Sequence, residues 1–181
     1  MGAPALAVAD DGDLIARYLA GEEEAATELV RRHATALARF IAAHGAPDGE
    51  LDDLTQETFF KAFRALGTFR GGASFRTWLL AIGGNVLKDR RRQWQRTRIV
   101  ALTPDLRDPS GDPGQHVEAG WAAERLMEGI GKLARLQREV FLMRAQQGLE
   151  YEEIAAGLGI TEGAARVHYH HAVKRLKAWI A

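Results

Sequence analysis

The N-terminal part of the chain carries apolar residues at the spacing of an α-helix. From Glu22 they return every three or four positions as far as Ile41, and an acidic run lies in the first turn, where the helix dipole favours negative charge. Gly45 and Pro47 interrupt the pattern and predict the end of this helix.

Two further helices are predicted before residue 100. One runs from about Leu51 to Leu66, with Gly67 as its cap, and the other begins near Ser74 and continues into an arginine-rich run. Short runs that alternate apolar and polar residues, as strands do, are absent from the sequence. The pattern therefore predicts an all-α protein.

The C-terminal part predicts two helices joined by a tight turn. The first spans Glu150 to Leu158, Gly159 supplies a left-handed turn residue, and Thr161 is the N-cap of the second. The second helix has apolar residues on one face and cationic and polar residues on the other, with no acidic residue after Glu162. This arrangement favours a DNA-binding helix-turn-helix over the alternative, a helical hairpin that serves packing alone.

A proline-rich stretch separates these two parts. Three of the five prolines fall between Thr103 and His116, where no apolar periodicity is found. The sequence predicts an exposed linker over 96–118, between an N-terminal domain at 13–95 and a C-terminal domain at 119–181. A chain of 181 residues can supply a core to each of two small domains.

Composition excludes several classes of protein. Because the chain contains no cysteine, a disulfide scaffold, a cysteine nucleophile and cysteine-ligated zinc are excluded. No window approaches the roughly 18 consecutive apolar residues of a membrane span, and the first residues lack the basic region of a signal peptide. We therefore expect a cytoplasmic protein that does not insert into a membrane.

The charges balance overall but are segregated along the chain. Lysine plus arginine and aspartate plus glutamate each number 24, so the formal net charge is zero. Residues 61–100 nevertheless hold ten basic side chains and one acidic one, and residues 166–181 hold four basic and none acidic. Compact basic segments are what phosphate binding needs, so the net charge does not exclude a nucleic-acid partner.

Three stretches together resemble the extracytoplasmic-function (ECF) sigma factors of RNA polymerase. Leu133–Leu176 resembles the promoter −35-binding domain, LDDLTQETFFKAF (Leu51–Phe63) is similar to the core-polymerase-binding helix, and Phe69–Gln93 is similar to the −10 reading segment. Both halves occur in the family's order and separation. The resemblance implies a non-enzymatic factor without cofactors that directs core polymerase to promoters, and an anti-sigma factor as a common further partner.

The resemblance implies that one polar side of the second predicted helix docks to core polymerase. Four such residues taken alone would indicate a solvated acidic face, but within this motif we favour docking to the clamp coiled coil of the largest catalytic subunit. The residues are Asp52, Asp53, Gln56 and Glu57.

A second set of residues is expected to hold the melted −10 strand. By resemblance Asn85 contacts an extruded base, since an amide can pair with a Watson–Crick edge, and the Phe69–Ser74 loop sets specificity. The five arginines within 90–98 suit strand phosphates. Trp78 shares a face with Phe75 and is predicted to pack in the core. The expected −10 contacts are Arg70, Ser74, Asn85, Lys88, Arg90, Arg91 and Arg92.

The outer face of the last helix is expected to enter the groove of the −35 duplex. By resemblance, the acidic part of the linker, Asp105–Asp112, threads toward the RNA-exit path of the polymerase. The expected −35 contacts are Arg166, Val167, His170, His171 and Lys174.

Three features depart from the family's pattern. Gly83 and Gly84 stand mid-helix where the family usually has Ala-Arg, which predicts a helix that is either soft or closely approached by a neighbour. Ala134 replaces a common proline and blurs the break before a helix expected to start near Gln137. The histidines at 168 and 171 replace frequent arginines, and because their side chains diverge around the helix, no metal site is predicted.

Two other classes of function fit parts of the sequence. A stand-alone transcriptional regulator would bind duplex DNA through 150–176 alone, but it would need neither the Leu51–Phe63 helix nor the arginine run. A magnesium-dependent nuclease would use Asp52, Asp53 and Glu57, yet adjacent helical residues point about 100° apart, which disfavours a shared ion.

Overall fold

The protein is described by a computed structural model that covers Leu6, residues 8–100 and residues 117–180, with the backbone alone for 93–100, 117–123 and 180. The described residues form eight α-helices and contain no strand, so the predicted all-α fold is confirmed. The helices are α1 (Asp11–Leu19), α2 (Glu23–Ala43), α3 (Leu51–Ala65), α4 (Phe75–Val100), α5 (Val117–Lys132), α6 (Arg135–Ala145), α7 (Tyr151–Leu158) and α8 (Glu162–Ile180).

The N-terminal domain is a bundle of α1 to α4. The first helix packs on α2, and α2, α3 and α4 pack on one another around fully buried Leu29, Phe40 and Leu54. Helix α1 was not foreseen from the sequence, although Asp10 is an ordinary N-cap whose Oδ1 accepts the Asp13 N–H at 2.8 Å.

The ends of the N-terminal helices agree with the sequence at one glycine and differ at another. Gly45 has φ +79° and follows the end of α2, as predicted. The predicted cap at Gly67 is wrong: α3 ends at Ala65 and tightens into a 3-10 turn over Leu66–Thr68. The Thr68 hydroxyl donates to the Ala65 carbonyl at 2.7 Å, so a side chain, and no left-handed glycine, satisfies the helix end.

The C-terminal domain packs α5, α6 and α7 around α8, over a core that includes Val140, Met143 and Ile154. Helix α5 was likewise not foreseen. Helices α4 and α5 extend into both ends of the predicted 96–118 linker, and Asp105–Asp112 lies outside the described residues.

A buried arginine makes the corner between α5 and α6. The Arg138 guanidinium donates to the carbonyls of Ile130 at 2.8 Å, Gly131 at 2.5 Å and Leu133 at 2.8 Å. These carbonyls at the end of α5 would otherwise lack partners. The chain therefore breaks before Arg135, two residues earlier than predicted, without a proline.

The two domains contact each other along a seam, in which α4 packs against α6 and α7, and α2 against α6. Gly83 and Gly84 lie in closely packed parts of α4, with Gly83 facing α2 inside the N-terminal domain and Gly84 facing α6 across the seam. A Cβ at Gly83 would lie 3.1 Å from Leu37 Cδ1, and one at Gly84 would lie 2.9 Å from Glu139 Oε1. Of the two expectations for this pair, the close approach is the one observed. Within the described part of the chain, no helix is long and apolar enough to cross a membrane.

Candidate polymerase and nucleic-acid interfaces

The angle between α7 and α8 is fixed by the turn that joins them. Gly159 adopts φ +65°, and the Ile160 N–H donates back to the Ala155 carbonyl at 3.1 Å. The Thr161 hydroxyl accepts the Ala164 N–H at 3.1 Å, which makes Thr161 the N-cap of α8. The predicted helix-turn-helix geometry is therefore present, with each expected turn residue in its role.

Helix α8 buries one face and exposes the other. Ala165, Ala172 and Leu176 point into the C-terminal core. The outer face includes Val167, whose side chain is 52% exposed. All five residues expected to contact the −35 duplex are exposed together on this face: Arg166, Val167, His170, His171 and Lys174.

Arg166 is held by two intramolecular contacts. It forms an ion pair with Glu162 one turn earlier, and its guanidinium carbon lies 4.7 Å from the centre of the Tyr151 ring. Both partners leave Arg166 exposed. An exposed ion pair of this kind contributes roughly 0–1 kcal/mol, so a DNA base or phosphate can compete for the guanidinium.

The histidines of α8 do not gather around a common point. The rings of His170 and His171 have their centres 6.2 Å apart, and His168 is half-buried. Among the residues whose side chains are described, no group of three or more histidines and carboxylates is arranged to hold a metal ion.

Three of the four residues expected to dock to polymerase form an exposed polar patch on α3. Asp52, Asp53 and Gln56 are exposed. Phe60, four residues after Gln56, is 62% exposed on the same side and carries the Arg64 guanidinium 5.6 Å from its ring centre. Sequence analysis missed Phe60, although an aromatic residue in phase with the polar patch was visible in the i, i+4 spacing.

Glu57, the fourth of these residues, forms ion pairs with other residues of the chain. Its carboxylate lies 2.9 Å from Lys61 Nζ and 3.2 Å from Arg90 Nη2. The hydrogen bond from Lys61 and the nearby Arg90 lower the pKa of Glu57 below its usual value. Glu57 therefore links α3 to α4. Because Lys61 and Arg90 already neutralise its carboxylate, Glu57 gives no support to the magnesium-nuclease alternative.

The basic run of α4 divides into two groups. Lys88 and Arg92 are exposed. Arg90 pairs with Glu57 and lies 3.5 Å from Glu50, and Arg91 donates to the His44 carbonyl at 2.6 Å. Burial lowers the pKa of Arg91. The side chains of Arg96 and Arg98 are outside the described residues.

Of the remaining −10 residues, Asn85 is exposed in the middle of α4, and Arg70 is exposed in the loop before α4, where Gly71 has φ +71°. The Ser74 hydroxyl accepts the Thr77 N–H at 3.2 Å and lies 2.8 Å from Thr77 Oγ1, so it also serves as the N-cap of α4.

Trp78 packs within the N-terminal domain. Its ring centre lies 5.2 Å from that of Phe69 and 5.9 Å from that of Phe75. The three rings form an aromatic cluster at the base of the Phe69–Ser74 loop, as the shared helical face predicted.

Both halves of the chain match family models. Residues 29–97 match the family described as Sigma-70 region 2, and residues 123–176 match the family described as Sigma-70, region 4. The first match contains the α3 polar patch and most of α4, and the second contains the helix-turn-helix.

Several curated proteins are similar over almost the whole chain. The chain is 31% identical over 173 residues to the RNA polymerase sigma factor NccH of Alcaligenes xylosoxydans xylosoxydans, covering 93% of each protein. It is 32% identical over 180 residues to the RNA polymerase sigma factor CnrH of Cupriavidus metallidurans, covering 93% of this chain and 94% of CnrH.

Two solved structures share the fold. The structure of CnrH in complex with the cytosolic domain of CnrY matches with a TM-score of 0.70 and 30% identity, over 93% of this chain and 95% of that chain. The sigma factor RpoE in complex with the anti-sigma factor NepR, from Bartonella quintana, matches with a TM-score of 0.64 over 85% of this chain and 95% of that chain. At 21% identity the latter likeness concerns the fold alone.

Proposed function

The chain belongs to the ECF sigma factors and directs RNA polymerase to promoters, and from this premise we propose which of its surfaces carries each step. The N-terminal domain docks to core polymerase through α3 and holds the melted −10 strand along α4. The C-terminal domain reads the −35 duplex through α8. The observation that carries this assignment is the exposure, on one face of α8 and one face of α3, of the polar residues that the family motifs place there.

The polymerase-binding surface consists of Asp52, Asp53 and Gln56, with Phe60 at its edge. An exposed aromatic ring beside acidic and amide side chains has the composition of an interface anchor with a polar rim. Glu57 supports this surface from within, since its ion pair with Arg90 fixes α3 on α4.

The −10 surface consists of exposed side chains along the start and middle of α4. Asn85 offers an amide to an unstacked base, and Lys88 and Arg92 offer exposed cations to its flanking phosphates. Arg90 and Arg91 contribute by ordering α4 against Glu57 and the His44 carbonyl.

The −35 surface is the outer face of α8. Arg166 and Lys174 can donate to guanine or phosphate oxygens, His170 and His171 offer ring nitrogens, and Val167 can contact a thymine methyl group. One apolar residue within a cationic face suits a duplex that contains both G·C and A·T pairs.

We further propose a cytoplasmic location, where core polymerase acts, and regulation by an anti-sigma factor. Support for a regulatory protein partner comes from the 30% identical relative CnrH, whose structure was solved in complex with the cytosolic domain of CnrY.

The deciding experiment adds the purified chain to sigma-free core polymerase with a promoter library. Transcripts that begin at a restricted set of sites are expected, and the shared upstream sequences would define the promoter. If the chain neither comigrates with core polymerase nor yields a specific transcript, the proposed function is wrong.

Asp53→Lys tests the docking surface within the same system. The reversed charge is expected to weaken core binding about tenfold, or about 1.4 kcal/mol, measured by fluorescence titration. Glu24→Lys is a matched control, because Glu24 is also an exposed acid in the first turn of a helix and lies outside the proposed surface. Equal affinities of the two variants for core polymerase would mean that Asp53 lies on a solvated face and not in the docking surface.

A further inference from the structure

A cleft of about 250 Å³ beside α4 and α6 is lined mainly by cationic side chains. These side chains are Lys88, Arg91 and Arg92 of α4 and Arg135 and Arg138 of α6. Glu139 is the one carboxylate among the described residues that line the cleft. An excess of cations in a confined space favours an anionic ligand. Because pockets for drug-sized ligands measure roughly 300–1,000 Å³, this cleft suits a smaller one.

Two of the guanidinium groups have carbonyl partners where a carboxylate is absent. Arg91 donates to the His44 carbonyl at 2.6 Å, and Arg138 donates to three carbonyls around the end of α5. A carbonyl satisfies an N–H group but does not neutralise the charge that is taken out of water. Burial accordingly lowers the pKa of Arg91. An anion in the cleft would supply the missing counter-charge.

The carboxylate of Glu139 has one oxygen paired and one without a partner. Oε1 lies 3.1 Å from Arg135 Nε, whereas Oε2 is buried and has no hydrogen-bond partner among the described residues. Burial raises the pKa of Glu139, and the nearby charges of Arg135 and Lys88 oppose that rise. The buried carboxylate is therefore a stronger base than usual, and Oε2 needs a hydrogen-bond donor.

A second buried acceptor belongs to the same lining. The His44 side chain is buried, and its Nδ1 donates to the Phe40 carbonyl at 2.9 Å. The unprotonated Nε2 can then only accept, and it too lacks a partner in the part of the chain that the structure describes. A ligand that suits this cleft therefore brings negative charge for the cations and a proton for the acceptors.

Inorganic phosphate meets both requirements. Near neutral pH it is an anion that keeps at least one proton on its oxygens, whereas sulfate, which has the same tetrahedral shape, keeps none. Guanidinium groups match the oxygens of phosphate with parallel N–H donors. We propose that this cleft binds inorganic phosphate, with Arg91 and Arg135 donating to its oxygens and Glu139 Oε2 accepting its O–H. Binding of this ion is a property of the free chain and requires neither polymerase nor DNA.

Isothermal titration calorimetry of the free chain near pH 7 tests the proposal, with sodium phosphate and sodium sulfate as ligands at equal ionic strength. Phosphate is expected to bind at a single site, about tenfold or more tighter than sulfate, because a sulfate oxygen without a proton would face the Glu139 carboxylate. Equal binding of the two ions, or no saturable binding of phosphate, would overturn the proposal. Glycerol phosphate is the third ligand, and tighter binding of this ester would assign the cleft to a phosphorylated molecule and overturn the assignment to the free ion.

Glu139→Gln tests the origin of the selectivity. The amide keeps the shape of the side chain and can donate an N–H to sulfate, so the preference for phosphate is expected to fall to about twofold or less. A ratio measured on one protein does not change because that protein is less stable. The matched control is Glu128→Gln, an exposed glutamate of α5 that is also paired with a cation one turn away. Wild-type selectivity in Glu139→Gln would overturn the proposal.

Arg135→Gln tests the cationic side of the cleft. Loss of a charged hydrogen bond is expected to weaken phosphate binding about tenfold or more. Arg125→Gln removes the same charge from an exposed position of α5 outside the cleft and should leave the affinity unchanged. Equal losses in the two variants would mean that phosphate responds only to total charge. If a single-stranded oligonucleotide binds with the same dependence on Arg135 and phosphate does not bind, the cleft belongs to DNA; either result overturns the proposal.

Discussion

At the scale of single residues, His44 shows how burial sets a protonation state. Its side chain is almost fully buried, Nδ1 donates to the Phe40 carbonyl at 2.9 Å, and Nε2 has no hydrogen-bond partner among the described residues. Burial, assisted by the nearby positive charge of Arg91, lowers the pKa of His44 to about 4. His44 is therefore neutral in the folded protein at physiological pH.

Stability is expected to fall in mild acid because of this histidine. Below about pH 6.5 the unfolded chain binds a proton at His44 that the folded chain does not bind until about pH 4. Between pH 7 and pH 5 the free energy of unfolding should drop by about 2 kcal/mol on this account, measured by urea denaturation. His44→Phe keeps an aromatic ring and should remove that part of the pH dependence. If the free energy of unfolding changes equally with pH in both proteins, a group other than His44 is responsible for the pH dependence.

Exposure was predictable where it follows from helical periodicity, as at Val167 and Lys174. Internal contacts were not predictable where the partner lies far along the chain. Arg90 meets Glu57 across 33 residues, and Arg91 meets the His44 carbonyl across 47 residues. A run of arginines indicates positive charge, but only the fold determines which of these side chains form internal contacts.

At the scale of elements, the helix-turn-helix was the most predictable part of the chain. Gly159 and Thr161 each demand a particular backbone or hydrogen-bond role, so the sequence fixes the turn locally. Helices α1 and α5 were missed because they are short or follow a proline-rich stretch, and their apolar residues make few repeats. The break before α6 could not be predicted, because it depends on hydrogen bonds from Arg138 to backbone carbonyls, which every residue type has.

The exposed end of α8 allows a test of element-level recognition. Arg166→Ala is expected to weaken binding of the polymerase holoenzyme to its −35 element about five- to fiftyfold, within the roughly 1–3 kcal/mol that a good base contact is worth. Glu162→Gln removes the intramolecular competitor for Arg166 and should strengthen the same binding modestly.

Both effects can be followed by fluorescence anisotropy at one fixed salt concentration, since phosphate contacts depend strongly on salt. The Arg166–Glu162 pair is exposed, so melting temperatures should change little. A drop in affinity that is the same for every −35 sequence would assign Arg166 to a phosphate instead of a base.

At the scale of the whole molecule, the seam joins two domains that each have a core. The sequence indicated a close approach at Gly84, but it did not identify Glu139 as the neighbour, because glycine records only that space is needed. The close approach at Gly157, where a Cβ would lie 2.5 Å from Thr77 Cγ2, was not predicted, because a glycine inside a short helix is more simply interpreted as a tolerated cost in helix stability.

Gly157→Ala should change how the whole chain unfolds. Alanine raises the intrinsic stability of α7 by about 0.5–1 kcal/mol while it forces the domains apart. Scanning calorimetry is expected to give one transition for the wild type, in which the domains stabilise each other, and two for the variant. One unchanged transition in the variant would mean that the seam does not couple the domains.

The corner held by Arg138 has a mechanical consequence. Three carbonyls around the end of α5 share one guanidinium, so a force that pulls α5 away from α6 stretches these hydrogen bonds together. Bonds loaded in parallel share the tension, whereas bonds that open one after another each bear it alone. When polymerase and DNA hold the two ends of the chain, α5 should therefore move with its domain as a rigid lever.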